Sequence, residues 1–387
     1  VSGELRDLRP DTTSSLWLWT SPDAQTALAT GNLGIIMRTW RRATGVGQHE
    51  LAARLGYDTS YISRIEKGSR DVTDINARLR IARHLGVPPH RVGVVDPGSA
   101  DHIAMMQFAE STIRLAVLAR QAGQAAAAIN ELWPLVARLE ARAAEGMIDR
   151  ETLPLLARAR AELGVSLGYV LPEQRLGAAV RWTGRALRIA AHLEDPDLHA
   201  YCLRSYGNEL RKAGRTKVAN VYIAHAVALD APRQRTAALL QLARVASDPA
   251  TFDATFDGLR RSREAGIASD PMITDATILE VQLRGLLTTG RAGAAAEMIN
   301  KLSWTAGAAS PQWAVIRDIT VASVMFTADS DSTAAPLLER AIASAVQLRL
   351  PHQIQRAQRV ARRHRPELVA HAADLLNDLS GGTRRTG

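Results

Sequence analysis

The feature that most limits what this chain can fold into is a long repeat. From residue 103 to residue 379, apolar side chains recur at helical spacing in paired stretches separated by Gly, Pro or Asp signals. The pairs are 103–121 with 124–143, 152–169 with 175–193, 197–213 with 215–229, 232–247 with 250–264, 273–289 with 291–303, 311–327 with 333–348, and 351–362 with 365–379. Hairpins repeating about every 40 residues, with no strands between them, bury their apolar faces only by stacking on their neighbours, which is the logic of an α-solenoid. An aromatic content of 4% and an abundance of Ala, Leu and Arg fit helices and disfavour β-sandwiches and propellers. With 46% hydrophobic and 22% charged residues, the 387-residue chain is globular rather than disordered and long enough for two or three domains.

A small basic module precedes the repeat. Residues 33–92 hold eleven Lys or Arg against five Asp or Glu, a net +6 out of +9 for the whole chain, a balance that suits a polyanionic partner. Here the spacing predicts helices over about 33–44, 48–55, 59–67 and 73–85, each stopped by glycine (Gly45, Gly56, Gly68, Gly86), and a last short turn after Pro88-Pro89. Ahead of them, Ser21-Pro22 reads as the cap and first turn of a short helix ending near Thr30, and residues 1–20 as a flexible lead-in. Asp96-Pro97-Gly98-Ser99 reads as a break. The expected organisation is a lead-in and short helix (1–31), a basic helical domain (32–97), a solenoid (101–380) and a disordered tail (381–387).

The stretch from Gln48 to Gly56, followed by Ser60-Tyr61-Ile62-Ser63-Arg64-Ile65-Glu66-Lys67-Gly68, resembles the Cro/repressor-type (XRE) helix-turn-helix family, over about residues 33–92. Leu51, Ala52, Leu55, Ile62 and Ile65 make the apolar seam between its two helices, with Ala52 small at their close approach and Gly56 in the turn. The resemblance implies double-stranded DNA as partner, with the second helix in the major groove. On the family's pattern the base-reading positions fall on Thr59, Ser60 and Arg64, with Ser63 peripheral, and the phosphate contacts on Gln48, Lys67, Ser69 and Arg70. A guanidinium can fork guanine O6 and N7; the alternatives are that Arg64 contacts phosphate and that Thr59 only caps its helix. In related folds an arginine of the first helix pairs with the glutamate ending the third, which here means Arg41 with Glu66 as a structural ion pair. The expected fold is therefore all-α, a five-helix helix-turn-helix domain followed by an α-solenoid.

Within the repeat, Leu203, Tyr206, Gly207, Leu210, Gly214, Ala219, Ile223 and Ala226 resemble the tetratricopeptide pattern, while the other hairpins match in part and exceed that family's period of about 34 residues. In that family the first helix of each pair lines a groove. Arg204, Asn208 and Arg211 share one stripe there, and Gln282, with Leu242 and Leu286, falls at comparable places on neighbouring helices. Asn can bond a peptide backbone and Arg a carboxylate, so the stripe suits a peptide or small-molecule effector; the other reading is a solvated polar face.

The sequence offers little else to chemistry. It has no P-loop, no His-Glu-x-x-His and no Gly-x-Ser-x-Gly, so neither an enzyme nor a cofactor is expected. The run from His192 to His199 straddles a helix end, where Asp195 and Pro196 read as an N-cap and first turn rather than as part of a metal site. The one cysteine, Cys202, reads as a small buried hydrophobe. A single thiol, no apolar run of membrane length, and Glu4, Arg6, Asp7, Arg9 and Asp11 near the start argue for the cytoplasm and against a membrane. The layout resembles that of actinobacterial regulators, and of peptide-sensing regulators joining the same two modules. The expected function is a homodimeric transcriptional regulator that senses a signal; the alternative is an interaction scaffold whose solenoid holds a protein partner and whose helix-turn-helix localises it to DNA.

Overall fold

A computed structural model describes residues 18–19, 21–94, 97–144, 152–266, 273–301 and 310–381. It is all-α: among the described residues there is no strand. Two compact units are present. The first comprises Val1–Thr112 with Trp133–Ala159 and Ala191–Leu193, and the second comprises Ile113–Leu132, Arg160–Ala190 and Glu194–Gly387.

The N-terminal helices of the first unit are α1 (Pro22–Ala29), α2 (Leu33–Thr44), α3 (Gln48–Leu55), α4 (Thr59–Glu66) and α5 (Ile75–Leu85), followed by a 3-10 turn over Pro89–Val92. Local chemistry sets their ends. The side chains of Ser21, Asn32 and Asp74 accept from the first-turn amides of α1, α2 and α5. At the end of α3, Gly56 takes φ +72°, which lets Tyr57 N–H reach back to Ala52 C=O at 2.9 Å and turns the chain into α4. One core joins these helices, built on Trp19, Ile36, Met37, Trp40, Leu51, Ala52, Ile62, Ile65, Ile81, Leu85 and Val92. Each large side chain buried there contributes about 1.5–3 kcal/mol relative to leaving it in water. A close approach occurs at Gly34, where a Cβ would run into the Ile65 carbonyl, so α2 crosses the end of α4 with its backbone almost touching.

Two readings of this region need correction. Trp19 is no part of a flexible lead-in: it is buried, and its indole N–H donates to Leu85 C=O at 2.7 Å, tying residue 19 to the end of α5. Nor is the Pro97-Gly98-Ser99 stretch a break, since Pro97 opens a helix, where its missing N–H has no cost. Leu18 packs against the same core, while residues 1–17 and 20 of the proposed lead-in and most of the tail lie outside the described residues.

Beyond Pro97 the described residues form paired helices: α6 (Pro97–Gln121) with α7 (Ala125–Ala144), α8 (Thr152–Val170) with α9 (Gly177–Ala190), α10 (Pro196–Lys212) with α11 (Thr216–Ala228), and α12 (Pro232–Ala243) with α13 (Pro249–Glu264). Further pairs are α14 (Asp275–Thr288) with α15 (Ala292–Lys301), α16 (Pro311–Thr327) with α17 (Asp331–Gln347), and α18 (Pro351–Ala361) with α19 (Pro366–Gly381). Within the second unit, first helices pack on first helices: α10 on α12, α12 on α14, α14 on α16 and α16 on α18. This is the repetitive arrangement that the sequence period demands. In the α10–α11 pair, a Cβ on Gly207 would strike Ile223, and Tyr206 and Tyr222 meet edge to face at 4.8 Å. Asp195 caps α10 by accepting from Leu198 N–H at 2.9 Å, and Cys202 is buried.

Candidate functional site

In the first unit the polar chemistry converges on Glu66, the last residue of α4. Its side chain is 2% exposed and carries no shortage of donors. Arg41 Nε lies 2.6 Å from Oε1 and Arg41 Nη2 2.8 Å from Oε2, while Arg41 Nη1 donates to Val46 C=O at 3.1 Å. Gln48 Nε2 donates to Oε2 at 2.8 Å, and Arg38 donates to the Glu66 backbone carbonyl. Burial acts to raise the Glu66 carboxyl, but the Arg41 and Gln48 hydrogen bonds and the Arg41 and Arg38 charges hold it below the ordinary carboxylate value. The network locks α2, α3 and α4 together. It also engages the amide nitrogen of Gln48, the first residue of α3, with the Glu66 carboxylate.

The opposite face of α4 is solvent-facing. Ser60 and Arg64 are exposed, and Thr59 and Ser63 are half-buried. Thr59 is the first helical residue, not the cap, and its hydroxyl lies 3.2 Å from His49 Nδ1. Arg64 Nε donates to Ser60 C=O at 3.3 Å, which aims the rest of the guanidinium outward. Immediately after the helix, Lys67, Ser69 and Arg70 are exposed, with Ser69 Oγ donating to Arg64 C=O at 3.1 Å and Arg70 stacked over the Tyr61 ring at 5.1 Å. Hydroxyl, guanidinium and ammonium groups are thus exposed along α4 and the turn that follows it.

In the second unit a cavity of about 110 Å³ opens among the first helices of successive pairs. Arg120 of α6, Glu162 and Tyr169 of α8, Tyr201, Arg204 and Asn208 of α10, Gln241 of α12 and Trp313 of α16 contribute to its lining. Glu162 accepts from Arg120 Nη2 at 3.0 Å and from the Tyr201 hydroxyl. Arg204 lies over the Tyr201 ring at 4.8 Å and donates to Gln234 Oε1 at 2.9 Å. Asn208 Oδ1 accepts from Arg211 Nη2 at 2.9 Å, and its amide donates to Glu209. Of the stripe read from the sequence, Arg204 and Asn208 line the cavity and Arg211 stands behind Asn208; Gln282 is half-buried and is not part of the lining.

Comparison with known proteins bears on the first unit. Residues 32–93 match the family model described as a helix-turn-helix domain. This stretch is a helix-turn-helix domain. No curated protein matches the chain. Among solved structures, the crystal structure of Bacillus thuringiensis PlcR in complex with the peptide PapR7 and DNA is similar at 13% identity and a TM-score of 0.31, over 90% of this chain and 99% of that one.

The helix-turn-helix domain therefore spans α2 to the 3-10 turn, with α3 and α4 as its two defining helices and the 59–70 surface on its outer side. Sequence reasoning missed Arg38 and Gly34, because both act on backbone that lies about thirty residues away. In the helical repeats it missed Arg120, Glu162, Arg244, Glu280, Arg284 and Arg356, which come together only through stacking. Among the described residues no group of three or more His, Cys, Asp or Glu side chains could hold a metal ion, and no helix is long and apolar enough to cross a membrane.

Proposed function

We propose that the chain is a sequence-specific DNA-binding transcriptional regulator of the Cro/repressor (XRE) type, cytoplasmic, whose tetratricopeptide-like repeats over 101–380 form a homodimer and sense a peptide or small-molecule signal. The observation that carries this reading is the exposed surface at 59–70 of a matched helix-turn-helix domain, where Ser60, Arg64, Lys67, Ser69 and Arg70 all face solvent. In this reading α4 enters the major groove; Thr59, Ser60, Ser63 and Arg64 face base edges, and Lys67, Ser69, Arg70 and the α3 terminus at Gln48 hold phosphates. Glu66 with Arg41 fixes the angle between the helices and makes no contact with DNA. A single helix-turn-helix reads a half-site, so useful affinity calls for two of them about 34–36 Å apart. Dimerisation falls to the repeats, which offer extended surface at their ends. Arg204 and Asn208 hold the effector at the cavity, and the effector acts by favouring one of two shapes of the dimer.

Arg64→Ala tests the reading. Affinity for the specific site is expected to fall by about 1–3 kcal/mol, with relaxed preference at one base pair, and binding to random DNA is expected to change far less. Lys67→Ala should weaken both alike and flatten the dependence of log affinity on log salt by about one unit. Fluorescence anisotropy against both DNAs across a salt series separates the outcomes; equal loss on both for Arg64→Ala would make it a phosphate contact.

A further inference from the structure

Beside the cavity, the first helices of successive repeats bring three arginines onto one carboxylate, with a fourth nearby. Glu280 of α14 is fully buried and takes Arg244 Nη2 at 3.3 Å, Arg284, and Arg356 Nη2 at 3.7 Å, besides the Thr320 hydroxyl at 2.7 Å. The fourth, Arg211, has Asn208 as its hydrogen-bond partner and no carboxylate within ion-pair distance among the described residues. Of the two nearby carboxylates, Glu162 is engaged with Arg120 at 3.0 Å, and Glu209 takes Lys212 at 2.8 Å on Oε1 while its Oε2 is buried without a hydrogen-bond partner. Glu280 is thus held by three of the four guanidiniums, and Arg211 feels the Glu209 and Glu280 charges without pairing with either. Guanidinium stays charged at neutral pH, and a buried charge without compensation is costly.

The donors are unspent as well. Arg211 Nε, Arg244 Nε and Arg284 Nε are buried without a hydrogen-bond partner, and the Arg244 side chain is 7% exposed. One cavity-lining donor shares this state, Trp313 Nε1, and Arg244 stacks on the Trp313 ring at 4.8 Å, while Gln241 Oε1 beside it is an unpaired acceptor. Burial, together with the Arg244 and Arg284 charges, presses the Arg211 guanidinium down to about 9. Buried polar atoms without a partner call for one, an ordered water or a ligand group, and here several of them cluster around the same arginines.

We propose that Arg211, Arg244, Arg284 and Arg356 form the receptor for a small oxyanion with two negative charges, a phosphate or a pair of carboxylates presented by the ligand of the helical repeats. Guanidinium forks match both groups in geometry and charge. The inference rests on the reading of the repeats as a sensor, and it names the chemistry of what is sensed. An anion seated there bridges α10, α12, α14 and α18, so it favours one spacing of those helices over others.

The test is a thermal-shift and calorimetric titration of the full chain, without DNA, using inorganic phosphate and, separately, malonate, with sodium chloride holding ionic strength constant. A saturable rise in melting temperature with single-site heat is expected for at least one probe. Phosphate alone would assign a phosphorylated ligand, and malonate alone a pair of carboxylates. Arg211→Met should weaken that binding by about 10–100-fold while the unliganded variant melts at or above the wild-type temperature, because removing an uncompensated cation relieves repulsion. A merely structural arginine would lower it. No shift beyond that of chloride with either probe, or equal affinity in Arg211→Met, overturns the proposal. If the anion binds as expected but leaves DNA affinity unchanged, the receptor stands and the sensor reading fails.

Discussion

Glu280→Ala is expected to cost about 3–5 kcal/mol of stability, the scale of breaking a buried charge network by removing one partner. The carboxylate is fully buried and is shared by Arg244, Arg284 and Arg356, so its loss leaves three guanidiniums facing one another and Arg211. Its replacement by alanine also opens a hole at the junction of α14, α16 and α18. The same pair of effects gives a pH signature. Burial acts to raise the Glu280 carboxyl, but the Arg284, Arg244 and Arg356 charges and the Thr320 hydroxyl bring it down to about 2. A folded value below the unfolded one of about 4.3 means that the stabilisation is present above that pH and is lost as pH falls toward about 2. Thermal melts followed by circular dichroism from pH 7 to pH 2 should show the difference between wild type and Glu280→Ala narrowing on the acid side. A constant difference would place the carboxylate outside the network.

Arg41→Ala is expected to cost the helix-turn-helix domain about 3 kcal/mol, the lower end of the same scale because part of Arg41 reaches solvent. Two hydrogen bonds to Glu66 and one to Val46 C=O disappear together. Arg41→Lys should fall between wild type and alanine, since an ammonium restores the charge but cannot fork the carboxylate. Because Glu66 is also held below its ordinary value, its contribution is present above about pH 4.3 and is lost as pH falls below it, and the Arg41 variants should lose that acid sensitivity first. Near-ultraviolet circular dichroism of a variant that keeps only Trp19 and Trp40, the two tryptophans packed in that core, reports the transition. An unchanged melting temperature would mean that the pair adds nothing to folding.

Helix positions were legible in the sequence because their ends carry local chemistry. Ser21, Asp74 and Asp195 cap, Gly45, Gly56 and Gly86 stop, and none of these needs a distant partner. The outer face of α4 was legible for a related reason: once the apolar seam of Ile62 and Ile65 is fixed, Ser60 and Arg64 must point away from it. What depends on tertiary placement was not legible. Trp19 sits in a polar stretch, and only its bond to Leu85 shows that it belongs to the core. Gln48 has the position of a phosphate contact, yet its amide is drawn to Glu66 by a buried charge that a single helix does not reveal. The stripe on α10 showed that Arg211 is polar, but the company of Arg244, Arg284 and Arg356 follows from stacking repeats whose sequences are unlike one another.

The central claim, that the 59–70 surface reads DNA, is tested most directly by footprinting the full chain on the DNA flanking its own gene. The account predicts a protected segment with two half-sites about one helical turn apart, with protection by Arg64→Ala requiring roughly 10–100-fold more protein. Absence of protection at every salt concentration, or protection by Arg64→Ala at the same concentration as wild type, would contradict it.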